Sequence, residues 1–321
     1  MFKKFIILSL LVPTLAFAWE PTKPITVIIG NQPGSGNELV FRKLTAAVAK
    51  KNPKVNFVIE LKPGADGVVA MNKMYESAPD GYTIAIPGHM GTYITNDIWQ
   101  KPLKKWQYNS FTSVMGLGES PLVFVANPSS KVNNVSELIR LVQTTNKPIT
   151  FATGGGSHIL AFEYFMNKSI GDRKLVKNTN YQGPLQAVTA VAGDNVTEFG
   201  IMPLFIAMPL IQAGKVKVIG ITGDKRLKHY PSAEPIVVGG HHIQTMASWA
   251  IILPPNTPKE IVDWYLKVFV PALKDPEVKQ YYEDNLITVV PDQLSTKGHD
   301  KYIENLRNTF MPMSKDIIVT Q

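Results

Sequence analysis

Ile25-Thr26-Val27-Ile28-Ile29-Gly30-Asn31-Gln32-Pro33-Gly34-Ser35-Gly36-Asn37 runs from an apolar, β-like stretch into a glycine turn. Leu39, Val40, Leu44, Ala47 and Val48 then recur at helical spacing. The same order returns in the second half of the chain. Ile149-Thr150-Phe151-Ala152 leads into Thr153-Gly154-Gly155-Gly156-Ser157, and a helix is expected over about 158–167. Strand, glycine turn and helix in that order aim backbone N–H groups at a helix N-terminus, where the dipole favours negative charge. Two such loops predict a cleft that closes on a small anion from both sides.

Working outward, strand-like and helix-like segments alternate, which predicts an α/β fold. Strands are expected at 55–61 and 82–86, with a helix at 67–75 between them and the turn Ala78-Pro79-Asp80-Gly81 before the second. A second unit is expected to start near Leu122-Val123-Phe124-Val125. There Asn134 with Glu137 forms a capping box ahead of a helix carrying Leu138, Ile139, Leu141 and Val142. Pro184 opens a helix that ends near Gly193. Strands at 199–202 and 216–221 flank a helix that starts near Leu204 and stops at Gly214. The last part begins with a strand at 249–253 and a helix start at Thr257-Pro258-Lys259-Glu260, with Thr257 as cap. A short strand at 287–290 and a helix containing Tyr302, Ile303, Leu306 and Phe310 follow. Two lobes are expected, 19–121 plus 247–321 and 122–246, with crossings near 118–122 and 246–249.

Residues 1–18 read as a cleavable secretory signal: Lys3 and Lys4, an apolar run over 5–12, then Ala16-Phe17-Ala18 before Trp19. The run is shorter than the ~20 residues a spanning helix needs. The chain has no cysteine, which excludes disulfides, thiolate metal sites, cysteine nucleophiles and lipid attachment through an N-terminal cysteine. Export without disulfides points to a bacterial periplasm. The formal charge is +8, but no basic stripe interleaved with aromatics argues for nucleic acid.

Further along, Ala78-Pro79-Asp80-Gly81-Tyr82-Thr83-Ile84 matches the PDGYT signature of the Bug family, the solute receptors of tripartite tricarboxylate transporters. Lys62-Pro63-Gly64-Ala65-Asp66-Gly67 resembles the family's Pro-Gly-Ala turn. Lys23-Pro24-Ile25, the 33–42 loop and helix start, Asn180-Tyr181-Gln182-Gly183, Ser248-Trp249 and the 254–258 turn are similar to further landmarks, in the same order. The resemblance implies a type II-like, two-lobed periplasmic binding protein with a mixed sheet in each lobe and a ligand cleft between them. It implies a small organic carboxylate (dicarboxylate, tricarboxylate or aromatic acid) as ligand and transporter membrane subunits as partners. The receptor is expected to be a monomer without cofactor or metal. A sensor docking onto a membrane receptor kinase and a secreted α/β hydrolase are the competing readings.

By the same resemblance the ligand carboxylate sits against Gly34, Ser35, Gly36, Asn37 and the turn Pro63-Gly64-Ala65. The opposite lobe supplies Thr153, Gly154, Gly155, Gly156, Ser157 and the segment with Tyr181 and Gly183. From position alone, His89 and Thr92 follow the third strand, where strand C-termini line an α/β cleft. His158 is either a local cap or a ligand contact; next to Ser157 it cannot form a nucleophile–base pair. Three departures from the family pattern stand out. Glu38 replaces an aspartate four residues before Arg42, the second loop is about one residue short, and Met202-Pro203 stands where polar residues are usual. An apolar Met202 in the cleft predicts a ligand with an apolar body rather than an acidic amino acid.

Overall fold

The computed structural model describes residues 19–312 except 170–173, 194–196, 225, 228–229, 231–232 and 239–240. The expected signal sequence, 1–18, lies outside the described residues. β1 (Ile25–Ile29) leads into α1 (Gly36–Lys51), β2 (Phe57–Leu61), α2 (Val68–Tyr75), β3 (Thr83–Ala85) and the short α3 (Asn96–Trp99). β1 lies between β2 and β3 and parallel to both. Parallel strands are covered on two faces, which is why β1 is apolar almost throughout. Ile25, Val27 and Ile29 join the main core, while Ile28 joins a smaller cluster with Met71, Met74, Ala85 and Trp106. On α1, Val40, Leu44, Ala47 and Val48 are buried as their spacing predicts and Phe41 is buried with them, whereas Leu39 is 37% exposed. The turn before β3 is locked by Asp80, which accepts the Tyr82 N–H at 3.0 Å.

β4 (Thr112–Ala126) is followed by α4 (Val135–Thr144), β5 (Ile149–Thr153), α5 (Gly156–Ser169), β6 (Val176–Asn180) and α6 (Pro184–Gly193). Then come β7 (Phe199–Pro203), α7 (Leu204–Gln212), β8 (Lys217–Ile221) and a ribbon of β9 (Val237–Val238) and β10 (His241–His242). β11 (Met246–Leu253), α8 (Lys259–Ala272), α9 (Pro276–Asp284) and α10 (Thr296–Phe310) complete the described chain. β5 is parallel to β6 and β7. The fold is a two-lobed α/β architecture with mixed sheets.

β4 joins the two halves. Its residues from Thr112 to Pro121 pair antiparallel with β11, and those from Leu122 to Ala126 pair with β7 and β8. The strand therefore changes neighbours within one residue, close to Gly118, whose φ is +138°. A register shift between Trp249 and Ala250 of β11 faces this point and lets the ladder bend. The expected strand at Leu122 is thus the second part of a fifteen-residue strand. Gly116, Gly118 and Ser120 interrupt its apolar run and hide the first part.

Two further expectations differ. Thr257 does not cap α8: its hydroxyl donates to the Pro254 carbonyl at 2.8 Å, and Pro258 occupies the cap position. The segment expected as a strand at 287–290 makes one antiparallel bridge, Glu119 with Thr288. By contrast the Asn134 cap is present, its Oδ1 accepting the Glu137 N–H at 2.8 Å. Asn134→Ala should lower the urea-unfolding free energy by about 1 kcal/mol, and an unchanged unfolding midpoint would refute that role.

Candidate functional site

The first glycine loop is braced from behind. Glu38, buried in the first turn of α1, accepts the Gly34 N–H through Oε2 at 2.9 Å and pairs with Arg42 through Oε1 at 2.7 Å. The Ser35 N–H donates to the Gln32 carbonyl at 3.2 Å. Gly34 and Ser35 therefore do not offer the backbone donors that the sequence suggests. Gly36 and Asn37 open α1, and no side chain caps this helix. The Ser35 Oγ is buried with no hydrogen-bond partner. Asn37 is pinned by donating from Nδ2 to the Ile86 carbonyl at 2.7 Å. Gly36 must be glycine, because a Cβ there would lie 2.7 Å from both Phe205 and Trp249.

The Pro-Gly-Ala turn is strained. Gly64, Ala65, Asp66 and Gly67 have φ of 145°, 46°, 52° and 89°. A left-handed conformation costs an ordinary L-residue roughly 1–2 kcal/mol, so two non-glycine residues are held against their preference. The result is to carry the Asp66 carboxylate across to the second loop. There Oδ1 accepts the Gly156 N–H at 3.3 Å and Oδ2 accepts the Thr95 hydroxyl at 3.0 Å. Burial raises the Asp66 pKa above the usual carboxylate value, and the bonds from Thr95 and Gly156 pull it back. The sequence reading stops one residue short of this group. Its signal is an acid inside a turn otherwise made of proline, glycine and alanine.

In the second loop, Gly154 packs on the Gly183–Pro184 backbone, where a Cβ would meet Gly183 at 2.4 Å. The Gly155 N–H donates to the Asn180 Oδ1 at 3.3 Å. His158 is buried with Nδ1 unpartnered. Burial lowers its pKa to about 4, against a weaker opposing effect of the Gly154 backbone, so the ring is neutral near pH 7. The Tyr181 hydroxyl is paired with Thr197 at 3.2 Å.

Two adjoining cavities lie between these loops, an inner one of about 90 Å³ and an outer one of about 270 Å³. Ser35, Asp66, Gly154 and Gly155 line both. Gly36, Asn37, Thr92, Gly156, Ser157 and His158 line the inner cavity, with Trp249 and Pro203. Gly34, Pro63, Gly64, Ala65, Tyr181 and Gly183 line the outer one.

Three expected residues lie elsewhere. His89 is fully buried behind the inner cavity, with Nδ1 3.0 Å from the Ser248 Oγ and Nε2 2.7 Å from the His299 Nε2. Thr153 is buried and paired with Asn178, whose Nδ2 donates to its hydroxyl at 3.0 Å. Met202 is fully buried in the core opposite Val123, and alternation along β7 turns Pro203 to the cavity instead. The apolar-body preference inferred from Met202 therefore loses its basis. Among the described residues that line the two cavities, Asp66 is the one lysine, arginine, aspartate or glutamate.

Two α/β lobes that share crossing strands and enclose a small polar cavity define the architecture of solute-binding proteins. Residues 40–316 match the model of the tripartite tricarboxylate transporter family receptor, and the chain belongs to that family. A UPF0065 protein of Bordetella pertussis is 25% identical over 301 residues, covering 92% of this chain and 90% of the relative. The fold is that of the periplasmic binding protein BugD, at TM-score 0.82 and 19% identity over 92% of this chain and 98% of that one. MatC of Rhodopseudomonas palustris, solved with bound malate, superposes at TM-score 0.82 with 20% identity over 92% of this chain and all (100%) of that one. Among the described residues, no helix is long and apolar enough to cross a membrane.

Proposed function

We propose that this chain is a periplasmic receptor that captures a small organic carboxylate and delivers it to the membrane subunits of a tripartite tricarboxylate transporter. No bond is made or broken. Residues 19–121 with 247–321 form one lobe and 122–246 the other, and the ligand lies between the two glycine loops. The observation that carries this reading is the open N-terminus of α1. Its first-turn N–H groups have no side-chain cap, and the buried, unpartnered Ser35 Oγ lines the same cavity. Such a helix end binds a carboxylate through charge-assisted hydrogen bonds of about 1.5–3 kcal/mol each. Three or four of them, with some apolar burial against Trp249, reach the roughly 8 kcal/mol of micromolar affinity. The malate held by MatC is a ligand of this chemical class.

A thermal-shift screen of mono-, di- and tricarboxylates and amino acids tests the proposal. A true ligand at a hundred times its Kd adds about 2.7 kcal/mol, which raises Tm by roughly 5 °C for a protein of this size. A flat response across the whole panel would refute the assignment.

A further inference from the structure

We infer that the ligand carries a cationic nitrogen beside its carboxylate, and that Asp66 is the residue that selects it. The inference rests on the receptor reading above and goes further by naming the charge pattern of the ligand.

Charge complementarity carries the argument. The cleft holds two helix N-termini, those of α1 and α5, each favouring an anion. The one at α5 already has an anion, because the Asp66 carboxylate accepts the Gly156 N–H. At α1 the one acid of the first turn, Glu38, is turned back to the Gly34 N–H and neutralised by Arg42, and the buried Ser35 Oγ beside it lacks a partner. A single ligand carboxylate is therefore sufficient. A second would lie in the same small space as Asp66, with no lysine or arginine among the described lining residues to offset the repulsion.

Asp66 itself is left incompletely satisfied. A carboxylate has about four acceptor sites, and hydrogen bonds from Thr95 and Gly156 occupy two. Among the described residues no lysine or arginine forms an ion pair with it. A half-buried charge of this kind is costly unless it is paired. The turn that places it is strained at both Ala65 and Asp66. An ammonium group on the ligand supplies the missing counter-charge, and its N–H donors fill the remaining acceptor sites. The complement of the cleft is a zwitterion, with its carboxylate at α1 and its nitrogen at Asp66.

Isothermal titration at pH 7.5 with matched compounds tests this. The probes are 4-aminobutanoate, butanoate and butanedioate, then alanine and propanoate, then the twenty standard amino acids. The wild-type protein should bind its best nitrogen-bearing compound at least 30-fold more tightly than the analogue lacking nitrogen. Asp66→Asn should reduce that ratio to within about threefold. Equal or tighter binding of butanedioate or of the nitrogen-free acids overturns the inference and leaves the receptor reading standing. Retention of the preference in Asp66→Asn overturns the role of Asp66. Failure of every compound to bind the wild type overturns both readings. Should Asp66→Asn fail to fold, Asp66→Gly, which suits the φ of 52° at this position, takes its place, and a preference that it retains overturns the role of Asp66.

Discussion

Gly156→Ala is expected to abolish ligand capture while leaving each lobe folded. A Cβ at this position would lie 2.3 Å from the Asp66 Oδ2 and 2.3 Å from the Thr95 Oγ1. Both groups come from the other side of the cleft, so the clash exists only when the lobes approach. Within its own helix the substitution is tolerated, since Gly156 opens α5 without a positive φ. The variant should therefore unfold at no lower denaturant concentration than wild type. Its affinity for any ligand should fall at least 100-fold, about 3 kcal/mol. Titration calorimetry measures the affinity, and small-angle scattering shows whether added ligand still contracts the molecule. Wild-type affinity in Gly156→Ala would disprove closure across this contact. Gly154→Ala is the contrast, because its Cβ would meet the backbone of Gly183 at 2.4 Å within the same lobe. That variant should lose stability, not closure alone.

Local features of the site were legible, and contacts across the fold were not. The first strand, turn and helix follow from a buried parallel strand and a helical stripe, both written in adjacent residues. The two glycine loops line one pair of cavities because β1 and β5, on opposite halves of β4, run in opposite senses and turn their C-terminal ends toward each other. What a loop's donors do depends on side chains that reach back to them. Glu38 was visible as a substitution, but its hold on the Gly34 N–H needs the curvature of the loop. Met202 and Pro203 differ only by strand parity, which is set by the pairing of β7 with β4. Asp66 has an identity that can be read in the chain. Its contact with Gly156 depends on four consecutive residues of positive φ and a partner across the cleft. His89 pairs with a histidine 210 residues away, so no local pattern could place it.

That histidine pair makes the protein sensitive to acid. His89 and His299 lie with their Nε2 atoms 2.7 Å apart, a spacing that accommodates one shared proton. Burial, then the neighbouring His299, hold the His89 pKa well below its ordinary value, and burial lowers that of His299 to about 4. Both rings are therefore neutral in the native state. In the unfolded chain a histidine titrates near 6.5. Above that pH neither state is protonated, and the contribution to stability is complete. Below it the unfolded chain binds protons that the native state refuses, at about 1.4 kcal/mol per pH unit for each histidine. The loss continues until the native pKa is reached. Asp66 and Glu119, whose pKa values are raised by burial, act in the opposite sense and offset part of it. A difference between variants cancels their contribution. His299→Gln keeps a hydrogen-bonding partner for His89 but has no proton to gain. Between pH 6.5 and 4.5 its unfolding free energy, from urea titration, should fall about 2 kcal/mol less than that of wild type. Parallel pH profiles for the two proteins would exclude a neutral native His299. The pair also sits at the junction of the lobes. His89 bonds Ser248 on β11, and the Tyr302 hydroxyl on α10 donates to Glu119 of β4 at 3.2 Å and lies 3.4 Å from the Ser248 hydroxyl. Protons that break this network act on the two strands that join the lobes, so acid should weaken the cleft's alignment before either lobe unfolds.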